Sequence, residues 1–457
     1  MTSSIKNLLK PLIIGAITIE AKLMIKRHQP KIICVTGSVG KTSTKEAIAT
    51  VMASQYQIRK SVKSYNSEFG VPLTILDLKT GWSDLWLWLN NIIWGVYEVI
   101  FSKDYPEWLV LEVGADKPGE IKAIAKWLSC DIAVLTAFPD NPVHVEFFTS
   151  DSALFEEDLQ MAYKLGETGQ TVANGDDKNI LKYLPNLKGG ITTVGFAKNG
   201  DWQSSPEVIE YNQNGTVRGI GFTIKNQDQT YQVHLPGLIG GHQIYAILTA
   251  LAVGQLNGIS PEQGLEALKS FVGPAGRLRV IPGIKETTII DDTYNASPAA
   301  VEAGLVTMSK IKTKGRRIAV LADMLELGDR TIEAHRSVGE QVGKVCDLLL
   351  TVGLRSKFVI EGAKERGMKD GQIFSFDDSV QAGRKLQDLL KSGDIVFVKG
   401  SQSMRMEKVV EEVMLEPNRK EELLCRQESF WTKCWLNNQF CPSTKNTPTS
   451  FACGSVF

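Results

Sequence analysis

The run Lys31-Ile-Ile-Cys-Val-Thr-Gly-Ser-Val-Gly-Lys-Thr-Ser-Thr44 constrains this chain more than any other stretch. An apolar, strand-like segment enters a glycine turn carrying Gly40-Lys41-Thr42, and a helical pattern begins at once over Thr44–Met52. Strand, glycine turn and helix in that order build a phosphate cradle. Backbone N–H groups of the turn and the positive end of the helix face an anion, a lysine neutralises the outer phosphates, and a hydroxyl can ligate Mg²⁺. Here the cradle residues are Gly37, Ser38, Gly40, Lys41, Thr42 and Ser43, with Thr42 as the metal-facing hydroxyl. The glycine spacing is G-x-x-G-K-T, because Val35 stands where the longer form of the loop has its first glycine. A Gly-Lys-Thr triplet alone also occurs by chance in turns; with its strand and helix in the right order, it reads as nucleotide binding rather than a plain strand–turn–helix.

A chain of 457 residues exceeds one ordinary core, so two or three domains are expected. The formal net charge is zero, which removes the electrostatic case for a nucleic-acid partner. Of seven cysteines, Cys34, Cys130 and Cys346 are scattered, while Cys425, Cys434, Cys441 and Cys453 fall late without any C-x-x-C pair. That spacing argues against a structural zinc site, and scattered thiols with ATP chemistry point to a reducing cytoplasm.

Strand-like runs at Lys31–Val35, Trp108–Glu112, Ile132–Thr136 and Gln170–Ala173 alternate with helical patterns at Thr44–Ser54, Gly119–Leu128 and Ser152–Leu165. Such alternation predicts an α/β fold, a P-loop domain with a mostly parallel sheet. Turn-broken β signals over Asp201–Leu235 predict an antiparallel addition, and a helix follows over Gln243–Asn257. After a glycine-rich hinge at Val272–Arg277, a second alternating series (Thr287–Ile290, Arg317–Leu321, Leu348–Val352, Gln372–Phe376, Ile395–Lys399) predicts a smaller, Rossmann-like C-terminal domain. The expected boundaries are an N-terminal amphipathic helix over 1–30, an ATP-binding central domain over 31–272, a C-terminal domain over 273–416, and a disordered tail over 417–457.

Two segments are apolar enough to touch a membrane. In Ile5–Ile25 the uninterrupted apolar part, Pro11–Ile19, is too short to span, and Glu20 closes it. It leads directly into the phosphate loop, so it is not read as an export signal. The segment 82–101 is rich in Trp, Leu and Ile. It reads first as a helix buried between lobes or against a partner, and second as an interfacial membrane contact.

Phosphate chemistry needs metal ligands and a way to place the nucleophile. Glu112 ends an apolar strand at the edge where α/β sheets bind ligands, and His144 lies in the loop after the next strand. Each has an ordinary alternative, a surface or capping glutamate and an unremarkable loop histidine. Asp291–Pro298 and Lys399-Gly-Ser401 follow strands of the second series, and Arg277 sits at the hinge. Turn capping or linker bracing would explain these equally well.

Read together, these blocks resemble the Mur ligases, ATP-dependent amide-bond-forming enzymes of peptidoglycan synthesis. The resemblance spans about 31–416. It rests on Thr36–Glu46, Asn66-Ser-Glu-Phe-Gly-Val-Pro-Leu73, Leu111–Glu120, His144 with Phe147–Ser150, Gly276-Arg277, Asp291–Pro298, Leu321–Gly328 with His335, and Lys399–Ser401. The Asn-x-Glu-x-Gly-x-Pro and Asp-Asp-x-Tyr-Asn-Ala-x-Pro blocks point to the MurF type, which adds D-alanyl-D-alanine to a UDP-muramoyl-tripeptide through an acyl phosphate.

The resemblance implies that Lys41 and the glycines hold ATP, that Thr42, Glu112 and His144 hold Mg²⁺, and that Lys41, Glu112 and His144 serve catalysis. It further implies that Arg277 and Asn295 meet the nucleotide. A cytoplasmic, monomeric enzyme of small-molecule substrates is expected, and the apolar composition of 82–101 adds a peripheral membrane or protein contact.

Three departures stand out. Only thirty residues precede Lys31, too few for the uridine-binding domain such enzymes carry. The family's carbamoylated lysine falls near Asp158, with Lys164 out of register, and the Gly-x-His-Asn block reads Gly241-His-Gln243. A lipid-linked acceptor, a polyglutamyl acceptor (against which the Asn66–Leu73 block argues) and a non-catalytic ATP-binding partner are the alternatives.

Overall fold

The computed structural model of the chain describes residues 3–62, 65–80, 85–140, 147–198, 200–428 and 431. Strands β1 (Lys31–Thr36), β2 (Ile58–Lys60), β3 (Trp108–Glu112), β4 (Ile132–Leu135), β5 (Gln170–Asn174), β6 (Gly190–Gly195), β7 (Trp202–Ser204), β8 (Val208–Tyr211), β9 (Val217–Asn226) and β10 (Gln229–Pro236) form a ten-stranded sheet. Its order is β10-β9-β7-β6-β5-β4-β1-β3-β2, with β8 on β9. Every pair from β2 to β7 is parallel, whereas β7, β8 and β10 run antiparallel to β9. The mostly parallel sheet and its antiparallel extension thus appear where alternation and turn signals predict them.

The central strands read as unbroken apolar runs because both faces are covered. Helix α2 (Lys41–Met52) and the helix His242–Leu256 bury Ile48, Val51, Ile247 and Leu251 on one face, within a core that includes Val35, Val110 and Val134. On the other face lie α1 (Ser3–His28), α3 (Gly70–Leu76) and α4 (Leu85–Phe101). Helix α1 contributes Ile13, Ile17, Ala21 and Met24, one stripe at helical spacing, to a core with Leu73, Trp88 and Leu109. Each large apolar side chain buried this way stabilises the fold by roughly 1.5–3 kcal/mol. No helix among the described residues is long and apolar enough to cross a membrane.

Register brings the site together. Val35 pairs with Glu112 of β3 and Val134 of β4, so the C-terminal ends of these three strands lie side by side. From β1 the chain moves to β2 and β3 on one side and later to β4 on the other, the reversal at which open α/β sheets bind ligands.

The second sheet comprises β11 (Arg279–Gly283), β12 (Thr287–Asp292), β13 (Arg317–Ala322), β14 (Leu348–Val352), β15 (Ile373–Phe376) and β16 (Ile395–Lys399), in the order β11-β12-β16-β13-β14-β15. Five strands match the second alternating series and are parallel; β11 is an additional antiparallel edge. It carries Pro282, which a ladder tolerates at an edge. Beyond Glu416, where the sequence shows no pattern, a 3-10 turn and a short helix (Lys420–Leu423) lead to Cys425 and Arg426, both buried.

Candidate active site

Gly37 and Gly40 adopt φ values of 122° and 90°, a region that favours glycine. A Cβ on Gly37 would also overlap the Thr136 hydroxyl. The loop is therefore pressed against the end of β4, where Ser38 N–H donates to the Ala137 carbonyl at 2.9 Å and the Thr136 hydroxyl donates to Thr36 O at 3.0 Å. Gly40 caps α2 without any side-chain hydrogen bond, so the helix opens onto the loop with its N–H groups forward. The Lys41 ammonium folds back onto the Gly37 carbonyl.

Around this loop the structure assembles several sequence-derived residues. The Thr42 hydroxyl donates to Glu112 Oε1 at 3.3 Å. Glu112 is 2% exposed, and its Oε2 accepts no hydrogen bond. That oxygen faces Lys45 Nζ at 3.5 Å, while Lys45 also donates to Ser61 O at 2.7 Å. A carboxylate oxygen without a hydrogen bond, beside a hydroxyl, is a hard-oxygen donor set of the kind Mg²⁺ takes. Thr42 and Glu112 therefore fit such an ion. His144, the third expected ligand, lies outside the described residues.

Asn66 joins the group: a Cβ on Gly114 would stand 3.0 Å from Asn66 Nδ2 and 3.3 Å from Lys41 Cε, so both side chains pack against that glycine. Asp158 is buried and accepts from the Thr36 hydroxyl at 3.2 Å. An acid thus stands against the strand that feeds the loop, while Lys164 is exposed.

Arg277 and Asn295 belong to a second cluster. The Arg277 guanidinium stacks 4.3 Å from the Tyr294 ring, and its carbonyl accepts from Gln243 Nε2 at 2.9 Å. Gln243, in the block that departs from the family pattern, thereby ties the sheet-covering helix to the hinge. Gly276, at φ 71°, receives Tyr294 N–H on its carbonyl and donates its own N–H to Asp291 Oδ2. Burial pushes the Asp291 carboxyl up to about 6, against hydrogen bonds from Thr293.

Lys399 is buried and bridges Asp292 Oδ2 at 2.5 Å and the Asn295 carbonyl at 2.8 Å. Burial also holds the neighbouring His242 down to about 4, with the charges of Asp292, Lys399 and Arg277 acting on it. These contacts tie Arg277 and Asn295 to one another's loops rather than to the phosphate loop.

Sequence reasoning missed two buried cations here, Lys45 and Arg426, and singled out Lys399 without its partners. Lys45 sits inside a helical pattern, and its four-residue spacing from Lys41 places both on one side of α2. The role of Lys399 in bridging two loops depends on tertiary contacts. Arg426 lies beyond the readable pattern. It pairs with Glu407 Oε2 at 2.6 Å, donates to Thr293 O at 3.0 Å, and contacts Tyr294 O. His335, part of one family block, has a structural place: Nε2 accepts from Met324 N–H at 3.0 Å and Nδ1 contacts Thr331 O at 2.7 Å.

Residues 35–88 and 90–254 match the Mur ligase middle domain, and 276–402 match the Mur ligase glutamate ligase domain. The UDP-N-acetylmuramoyl-tripeptide–D-alanyl-D-alanine ligase of Bacillus subtilis (strain 168) is 27% identical over 399 residues, covering 87% of this chain and 79% of that protein. The enzyme of the same name from Escherichia coli (strain K12) is 25% identical over 400 residues, covering 86% and 78%. In fold, the chain resembles the MurF ligase of Thermotoga maritima solved with ADP, with a TM-score of 0.70 at 24% identity, covering 87% of this chain and 83% of that one. The two domain matches run, with short gaps, from the phosphate-loop strand through the last parallel strand, and the chain belongs to the Mur ligase family.

Proposed function

We propose that this chain is an ATP-dependent, ADP-forming ligase of peptidoglycan precursor synthesis that joins D-alanyl-D-alanine to a UDP-muramoyl-tripeptide. The observation that carries the reading is the Gly37–Gly40 loop with the Thr42 hydroxyl 3.3 Å from the buried Glu112 carboxylate. The relatives that bear this activity in their names support the choice of substrates.

The tripeptide carboxylate attacks the γ-phosphorus of ATP. A new O–P bond forms as the bond to the bridging oxygen breaks, leaving an acyl phosphate and ADP. The amine of D-alanyl-D-alanine then forms the C–N bond, gives up a proton to solvent, and displaces phosphate.

Lys41 releases the Gly37 carbonyl and offsets charge on the outer phosphates, while the loop N–H groups and the start of α2 hold phosphate oxygens. Thr42 and Glu112 would hold Mg²⁺, which supplies further positive charge to the phosphoryl oxygens. Arg277 and Asn295 contribute nucleotide contacts from the hinge and the second lobe. Closure of the lobes, 31–272 on 273–416, orients the carboxylate and excludes water.

Mass spectrometry of the product tests the assignment. Incubation with ATP, Mg²⁺, D-alanyl-D-alanine and UDP-muramoyl-tripeptide should yield the UDP-muramoyl-pentapeptide together with ADP. Turnover of ATP without that product would overturn the substrate assignment.

A further inference from the structure

Helices usually turn their polar face to water, but α4 does the reverse. Its packed stripe holds Trp88, Asn91 and Gly95, including the buried polar Asn91. Its solvent side carries Trp86, Leu89, Ile93, Trp94, Ile100 and Phe101, all exposed. Glu98 is the only charged residue in the helix.

Helix α1 runs parallel beside it, because Glu20 meets Gly95 and the Arg27 guanidinium reaches the Val99 carbonyl. It widens the apolar surface with exposed Leu12, Ile19 and Leu23. A continuous apolar face on two neighbouring helices marks an interaction site.

Charge identifies the occupant. Along α1 the exposed stripe passes from Ile19 and Leu23 into Lys22, Lys26 and Arg27, all exposed, and Lys103 follows the end of α4. Glu20 is the only acid in α1 and is buried; Glu98 and Asp104 lie in and just after the end of α4, and Asp77 is paired with Arg59. Lysine is depleted at the core of protein interfaces. Two tryptophans on an apolar face with a basic border instead match a helix lying in a lipid headgroup layer. The 17 residues of α4 extend about 26 Å, short of a bilayer core, so the helix would lie on the membrane rather than cross it.

We infer that the paired α1–α4 surface docks the protein onto anionic phospholipid bilayers. Docking there brings the chemistry close to the lipid. Phe69, packed 5.7 Å from Trp88 and under Lys10 at 5.2 Å, is three residues from Asn66, which packs against Gly114 as Lys41 does.

Flotation of the full chain with vesicles tests this independently of ligase activity. The protein should rise with equimolar phosphatidylglycerol–phosphatidylcholine vesicles and not with phosphatidylcholine alone, and high salt should weaken the association. The variant Ile93→Ser/Trp94→Ser and the variant Lys22→Glu/Lys26→Glu should each reduce the floated fraction about tenfold, with melting temperatures unchanged. If the second pair keeps the floated fraction at the wild-type level, or both lipid compositions bind equally, the anionic-surface assignment is overturned. Failure to float with either composition overturns it as well. A concentration-dependent dimer abolished by Ile93→Ser/Trp94→Ser would show that a second copy covers the face instead.

Discussion

Lys45 Nζ lies 3.5 Å from Glu112 Oε2, both side chains almost wholly buried, so one ion pair ties the phosphate-loop helix to the end of β3. A buried pair contributes little over an apolar replacement, but removing one partner strands the other. Lys45→Ala should therefore cost about 3–5 kcal/mol in urea unfolding. A loss under about 1 kcal/mol, within the range of exposed pairs, would show that the pair is solvated in solution.

Gly37 carries two constraints at once, φ 122° and contact with the Thr136 hydroxyl. Gly37→Ala should cost about 1–3 kcal/mol and displace the loop. The rise in melting temperature that ATP gives the wild type should then disappear. A variant that keeps the full ATP-induced shift would mean that the loop tolerates a side chain and cradles nothing at that point.

Arg426 anchors the backbone of Thr293 and Tyr294 while pairing with Glu407. Arg426→Ala should destabilise by about 3 kcal/mol. Through the neighbouring Asn295 it should also raise the KM for ATP several-fold more than it lowers kcat. Unchanged KM with lowered stability would leave Arg426 a purely structural residue.

Glu20 is buried against Gly95 with no hydrogen bond to Oε2, and burial raises its carboxyl from 4.5 to about 7. An acid whose folded value exceeds its unfolded one favours folding of the protonated form. The α1–α4 contact is therefore least penalised below 4.5, and stability is lost as the pH rises from 4.5 to about 7. Allowing for residual screening, the loss is about 2 kcal/mol. Glu20→Gln should abolish that part of the pH dependence, leaving the variant more stable than wild type above pH 7 and equal to it below pH 4.5. Parallel stability–pH curves for the two proteins would contradict this account.

The legible parts of the chain were those in which local pattern and tertiary role coincide. β1, β3 and β4 are apolar runs because they are central, and Gly40-Lys41-Thr42 announces its loop because only glycine suits those angles. What escaped reading depends on distant partners. β2 has three residues and exists through its pairing with Trp108–Val110. Lys45 is distinguished from a surface lysine by its burial against Glu112 and Ser61, which lie far away in sequence. The segment around Arg426 has no periodicity, yet Glu407 and the Tyr294 carbonyl hold it in place. Counting along the sequence singles out Asp158, but only the fold shows its contact with Thr36.

The most direct test of the central claim is phosphate release by the purified protein with ATP, Mg²⁺, D-alanyl-D-alanine and UDP-muramoyl-tripeptide. Release should require both acceptor and dipeptide, stop when Mg²⁺ is chelated, and fall by about a hundredfold or more in Lys41→Ala. Release that ignores either substrate, or survives Lys41→Ala, would contradict that claim.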